Sequence, residues 1–402
     1  MTTVGPTIVP HTSLPLSALG LPRFSALLSA IVLAAPCPSR TAAVEHVVLN
    51  QAGTPSQLSG QVLLEDQQGG LLLKTDEGAI WPIESQSITR RSSSDRPLVP
   101  LDKEQLAERL LDELGPGFQV HDSKHYVVCF NTTRTYAKWT SSLLERLQKA
   151  FIAYWKKQGS DVHEPEAPLA VLIFANKASY VQHAKTELGP AAGSAIGYYS
   201  VKTNRIVMFD LTGMQSLRRQ YSRRGSLHDI TAMLSQPEAV PLVATIVHEA
   251  THQIAFNCGL QTRFSFPPVW LSEGLAVYFE TPDLSSNRSW RANVGINYPR
   301  WDRFRQNVNN GRDKSLQSMV ADDSQIRDPR TAVDAYAQAW AWNYYLIRFR
   351  RKEYTAYLKT LADKPLLIVD DEKTRLADFR KHFGDDLESI EAAFYKRMSK
   401  IE

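Results

Sequence analysis

Val247-His248-Glu249-Ala250-Thr251-His252-Gln253 is the stretch on which the reading of this chain turns. An α-helix completes a turn in about 3.6 residues, so side chains four apart stack on one face. On a helix, His248 and His252 present two imidazoles side by side, a spacing that can grip one Zn²⁺. Glu249, between them, reaches a water held at the same place. The flanks support a helix: Ala244, Thr245 and Ile246 precede the motif, and Ile254, Ala255 and Phe256 follow it. Val247, Ile254 and Ala255 give it an apolar side to bury. Asn257-Cys258-Gly259 supplies the stop, with Gly259 suited to the left-handed position beyond a helix end.

A catalytic zinc needs a third protein ligand and one open position. Pro267-Pro268-Val269-Trp270-Leu271-Ser272-Glu273-Gly274-Leu275-Ala276-Val277-Tyr278-Phe279-Glu280 provides it. The prolines open a second helix, and Glu273 lies in its first turns, 21 residues after His252. That interval leaves room for a helix end, a loop and a returning carboxylate. Glu280 lies seven residues after Glu273 and shares its helix face. It either orients a ligand histidine or, the reading favoured by its position at a helix end, is solvated.

The two segments together resemble the gluzincin (peptidase MA) pattern. The resemblance is closest to a secreted bacterial family of unknown function with a zincin-like domain, whose members carry the same His-Glu-Ala-Thr-His-Gln stretch. It runs from about Phe118 to the C-terminus. It implies Zn²⁺ as cofactor, His248, His252 and Glu273 as its ligands, and Glu249 as general base. Zinc so held lowers the pKa of a bound water to about 7. Glu249 would then take a proton from that water and pass it to the leaving amine. Related gluzincins place a tyrosine on a helix downstream of the third ligand, which makes Tyr336 the candidate oxyanion donor; the alternatives are that Tyr336 only packs in the core and that Tyr198 or Tyr199 serves instead. The resemblance names no substrate.

Composition is that of an ordinary globular protein, with 43% apolar and 22% charged residues, and this argues against disorder. The net charge of +4 calls for no nucleic-acid partner. Phe24 to Ala35 is an apolar run preceded by Arg23, short for a membrane span but fitted to a signal-peptide core. Thr41-Ala42-Ala43 offers a cleavage point, so residues 1–43 read as a signal peptide. The protein is therefore expected in the periplasm, cell envelope or extracellular space, with no stable membrane insertion after cleavage. Cys37 leaves with that segment. Cys129 and Cys258 then either pair in an oxidising compartment or stay as two buried thiols.

Residues 44–90 read as a small all-β, SH3-like module. Its strands are Gly60–Glu65, Gly70–Lys74 and Ala79–Ile83, with turns at Asp66–Gly70 and Thr75–Gly78. Residues 91–117 read as a linker, rich in serine and proline from Arg90 to Pro100, and a helix from Asp102 to Leu114. From 118 to 402 the expected fold is α+β: a mixed sheet, the metal helix and a helical C-terminal lobe. Its strands are expected at Tyr126–Phe130 and Leu169–Phe174, with helices at Thr135–Lys157 and Ala178–Leu188. A hairpin over residues 197–210 is either the substrate-binding edge or an internal hairpin. C-terminal helices are expected at Asp334–Arg348, Glu353–Leu361, Thr374–His382 and Leu387–Met398.

Three further features take bland readings. His121 and His125 are also four apart, but beside a strand-like run, and read as a surface turn. Arg218-Arg219 and Arg223-Arg224 read as a solvated basic loop. Trp340 and Trp342 read as helix packing. The expected function is an exported zinc peptidase acting on a peptide or protein substrate. The rival readings are a non-catalytic scaffold binding peptide or envelope polymer, and a zinc hydrolase of a non-peptide substrate. No motif encodes an oligomeric state.

Overall fold

The computed structural model describes residues 43–51, 54–218, 225–281 and 295–401. The expected signal peptide, Cys37 included, lies outside the described residues except for Ala43; so do Arg219, Arg223 and Arg224 of the basic loop. The architecture is mixed α+β: a β-rich N-terminal region, a second sheet, and a helical C-terminal region.

The first sheet is antiparallel. It comprises β1 (Ala43–Gln51), β2 (Thr54–Glu65), β3 (Leu71–Thr75), β4 (Ile80–Ile83) and β5 (Ile88–Pro97), in the order β4-β3-β2-β1-β5. The three expected strands are present within it, but the linker expected from Arg90 is largely strand β5. Its side chains are mostly exposed, so it carries no apolar alternation to betray it. Its backbone pairing with β1 holds it instead, reinforced by Arg91 bonding to Glu45 at 3.0 Å and Glu65 at 2.9 Å. Successive strand residues face opposite ways, and this sheet buries apolar residues on both sides. Val47, Leu49, Leu71, Leu73 and Ile83 cluster on one face; Leu72 and Ile80 on the other meet Phe264, far along the chain.

Helix α1 (Lys103–Leu114) opens with a capping box between Asp102 and Gln105, which satisfies donors that a helix start leaves free. The second sheet is then built from β6 (Gln119–Asp122), β7 (Tyr126–Phe130), β8 (Leu169–Phe174), β9 (Gly197–Tyr199) and β10 (Arg205–Phe209), ordered β6-β7-β8-β10-β9. Helix α2 (Arg134–Lys157) connects β7 to β8, and α3 (Lys177–Leu188) lies between β8 and β9. Strands β7, β8 and β10 run parallel and are buried along their whole length, as continuous apolar runs in parallel sheets generally are. Strand β9 closes one edge, antiparallel to β10.

Two short helices, α4 (Gln215–Arg218) and α5 (Leu227–Leu234), lead to helix α6 (Val240–Asn257), which carries His248 and His252, and then α7 (Val269–Phe279). The remaining helices are α8 (Tyr298–Asn309), α9 (Leu316–Ala321), α10 (Ser324–Arg327), α11 (Ala332–Phe349), α12 (Arg351–Ala362), α13 (Glu372–Phe383) and α14 (Leu387–Met398). Trp340 and Trp342 are packing residues of α11: the Trp342 ring stacks on Phe394 with centroids 3.8 Å apart. Cys129 and Cys258 are buried, free thiols. The His121–His125 segment forms the β6–β7 hairpin, where His125 Nδ1 meets Glu145 at 2.8 Å. Among the described residues no helix is long and apolar enough to cross a membrane.

Helices α7 and α11 touch at backbone level, because Gly274 has no side chain there. A Cβ on Gly274 would lie 2.0 Å from Asn343 Nδ2 and 2.6 Å from the Ala339 carbonyl oxygen. Asn343 cannot swing aside freely, since its amide donates to the Trp270 and Ala339 carbonyls at 3.1 and 2.8 Å. Gly274→Ala should therefore cost at least about 1–3 kcal/mol of stability, the usual price of overpacking. Thermal or denaturant unfolding will measure it, and an unchanged midpoint would refute this account of the contact.

Candidate metal centre

Helix α6 is buried on nearly every side from Leu242 to Ala255, so its polar residues each need a partner. Gln253 donates to the Ala170 carbonyl at 3.1 Å and the Asn204 carbonyl at 2.8 Å, fastening the helix to β8 and to the start of β10. Asn257 exchanges hydrogen bonds with the Asn204 side chain at 2.7 and 2.9 Å. Gly259, with φ +85°, turns the chain after the helix. Helix α7 lacks a capping side chain of its own at Pro268. Asp323, just before α10, accepts from Val269 N–H at 3.0 Å and from Arg375 at 2.7 Å, and so caps α7 from a distance.

These anchors bring His248, His252 and Glu273 together. His248 Nε2 lies 3.2 Å from His252 Nε2 and 3.2 Å from Glu273 Oε2, and His252 Nε2 lies 3.6 Å from that same oxygen. Ligands at about 2.0–2.1 Å in a tetrahedral shell are separated by roughly 3.3–3.4 Å. The triad therefore fits a small divalent cation, and it is a group able to hold a metal ion. Burial by itself would lower the His248 imidazole pKa. The carboxylates of Glu273 and Glu280 on its two nitrogens reverse that and push it up to about 10. For Glu273, burial favours the neutral acid, but the two histidines hold its carboxyl well below the usual range. The centre thus draws positive charge.

Glu280 corrects the expectation of a solvated helix end. It is 4% exposed, and its Oε2 meets His248 Nδ1 at 3.2 Å. Arg300 Nε and Asn297 Nδ2, from α8 and its cap, both donate to Glu280 Oε1 at 3.0 Å. A carboxylate on Nδ1 favours the tautomer that leaves Nε2 free to hold a metal ion. The seven-residue spacing from Glu273 was the available signal; the burial by α8 was not visible in it. Glu280→Gln should weaken metal binding by about 10–100-fold, read by competition with a chromophoric chelator. Affinity equal to wild type would remove Glu280 from the centre.

Glu249 is 4% exposed and, mainly through burial, has its pKa raised above the ordinary value. Its Oε2 accepts the Tyr199 backbone N–H at 2.8 Å. This amide points away from β10, so the edge strand aims a donor at Glu249, a contact no sequence motif announces. Tyr336, on α11, is buried and donates its hydroxyl to Glu273 Oε2 at 3.0 Å. The Tyr199 hydroxyl instead donates to Asn204 Oδ1 at 2.8 Å, and the Tyr198 ring packs on Tyr180. An open cleft adjoins Glu249, His252 and Glu273, with walls from Phe256, Phe264, Phe266, Val269 and Ile326, and with Glu187 and Arg327 also at its lining.

Residues 242–367 match a family profile described as "Protein of unknown function (DUF1570)". This interval contains α6 from Leu242 onward, all of α7, and Tyr336, and so every residue of the triad. A search of curated proteins finds no match to the chain.

Proposed function

We propose that this chain is an exported, zinc-dependent peptidase with a gluzincin-like, zincin-type catalytic fold behind an SH3-like N-terminal module. The observation that carries the reading is the convergence of two imidazole nitrogens and one carboxylate oxygen within 3.6 Å of one another, with a buried, separately held Glu249 beside them. A nitrogen–nitrogen–oxygen donor set with three protein ligands suits a catalytic zinc, which polarises a carbonyl and makes hydroxide available near neutral pH. His248, His252 and Glu273 would hold it, and Glu280 would keep the His248 ring in place.

Glu249 is the general base in this reading. Its raised pKa brings it closer to the value at which a carboxylate both takes and returns a proton near neutrality. The Tyr199 N–H fixes the orientation of its carboxylate. Tyr336 is the donor nearest the third ligand and would turn to the oxyanion as charge develops there. Strand β9 lies at the sheet edge, where an extended peptide adds as a further strand. The apolar walls favour a peptide with a bulky side chain near the scissile bond.

The test is metal analysis of the purified protein with turnover of a mixed library of quenched peptides, before and after chelation and zinc return. One equivalent of zinc and chelator-sensitive cleavage support the reading. Stoichiometric metal without cleavage of any peptide would favour a binding scaffold or a hydrolase of another bond.

A further inference from the structure

The loop over residues 260–268 joins the histidine helix α6 to the glutamate helix α7, and its Phe264 and Phe266 line the cleft. Both residues have positive φ, 66° and 49°, a region that side chains of this size seldom occupy. Such backbone persists only where its surroundings over-determine it. Here the surroundings are the N-terminal sheet. Leu72 and Ile80 are buried against Phe264, with Leu64 and Phe266 at the margin of the same cluster. The Leu367 N–H adds a hydrogen bond to the Phe264 carbonyl at 2.7 Å.

Arg263 joins the same pieces through polar contacts. Its guanidinium is buried; Nη2 donates to the Gly78 carbonyl at 2.7 Å and Nη1 to the Val201 carbonyl at 3.3 Å. Gly78 belongs to the β3–β4 turn. Val201 lies two residues beyond Tyr199, whose amide orients Glu249. The same hairpin tip is held twice more: Ile80 N–H donates to the Lys202 carbonyl at 2.7 Å, and the Lys202 ammonium sits 4.3 Å from the Trp81 ring centre. Among the described residues, Arg263 bonds to backbone carbonyls and to no carboxylate. A buried cation without a counter-charge is costly, and the three-way junction it makes gives a reason for keeping it.

We propose that the N-terminal sheet is a positioning part of the cleft, with Arg263 as the clasp that holds the β9–β10 tip and the Phe264–Phe266 wall where a substrate must bind. The kinetic consequence rests on the peptidase reading above; the geometric one does not.

The test uses the full chain as Arg263→Ala, Arg263→Lys and Trp81→Ala, followed by amide hydrogen exchange over residues 197–204 and 260–268, with α6 as internal reference. Arg263→Ala should exchange about tenfold faster or more in both segments while α6 keeps its protection, as expected of a local opening. Arg263→Lys should fall between, because an ammonium cannot fork to two carbonyls as a guanidinium does. Wild-type exchange in both segments would overturn the clasp. Should Arg263→Ala unfold, Trp81→Ala decides: acceleration confined to 197–204 supports the proposal, and none overturns it. In peptide turnover, Arg263→Ala should raise KM about tenfold, with a smaller fall in kcat through the Tyr199 amide that orients Glu249. A loss confined to kcat would overturn the positioning role. Absence of turnover in the wild type would count against the peptidase reading and leave the exchange result to decide this one.

Discussion

Glu249→Gln should retain a full equivalent of metal and lose peptide hydrolysis by about 10²–10⁴-fold, the contribution of a positioned general base. The amide has the same shape as the carboxylate, and its oxygen can still accept the Tyr199 N–H that Glu249 accepts at 2.8 Å. Glu249 is not one of the three converging ligand groups, so its replacement leaves the donor set complete. Nor should the fold suffer. Burial already disfavours the charged form of Glu249, and a neutral amide removes that penalty. Lost turnover with intact metal and an undiminished melting temperature would therefore isolate chemistry from structure. Turnover that survives in Glu249→Gln would sink the general-base assignment.

His252→Ala should abolish metal retention and activity together. Changing a group that only orients a ligand costs about 10–100-fold in metal affinity, and loss of the ligand itself must exceed that range. The two remaining donors, His248 Nε2 and Glu273 Oε2, lie 3.2 Å apart and span only one edge of the site. The wild type should also melt at a higher temperature with metal than after chelation, since a cation present at about 1,000 times its Kd stabilises by roughly 4 kcal/mol. In His252→Ala this difference should vanish. Metal uptake should weaken on acidification, because His248 without metal holds its proton up to about 10 and must release it to bind. Thermal melts with metal and after chelation will check the first point, and isothermal titration at several pH values with metal-buffered solutions the second. A His252→Ala protein that keeps a full equivalent of metal would refute the ligand set.

Sequence reading and tertiary structure divide along the range of the interactions involved. The four-residue spacing of His248 and His252 sets both on one face of any helix that contains them, and Gly259 marks where that helix stops. The buried strands β7 and β8 and the hairpin of β9 and β10 were likewise legible, because an unbroken apolar run or a turn is a local property. So were the C-terminal helices α11 to α14: α14 spans the expected residues, and the other three run one or two residues longer at each end.

Strand β5 was not legible. Its serines and arginines show no apolar alternation, and only pairing with β1, 39 to 54 residues earlier, makes it a strand. Glu280 was misjudged for a related reason: its position at the end of α7 suggested solvent, while α8 returns Asn297 and Arg300 to bury it. The cap that Asp323 gives α7, the Tyr199 amide on Glu249 and the Arg263 clasp across to Gly78 all join residues at least fifty apart. By itself, then, the sequence determined the donor types, their helical spacing and the helices that carry them, because those depend on the backbone's own period. The tertiary structure alone decided which carboxylate backs His248, which amide aims Glu249 and which surface walls the cleft. A buried polar group must find its partner wherever the folded chain brings one, and nothing local in the sequence encodes that meeting.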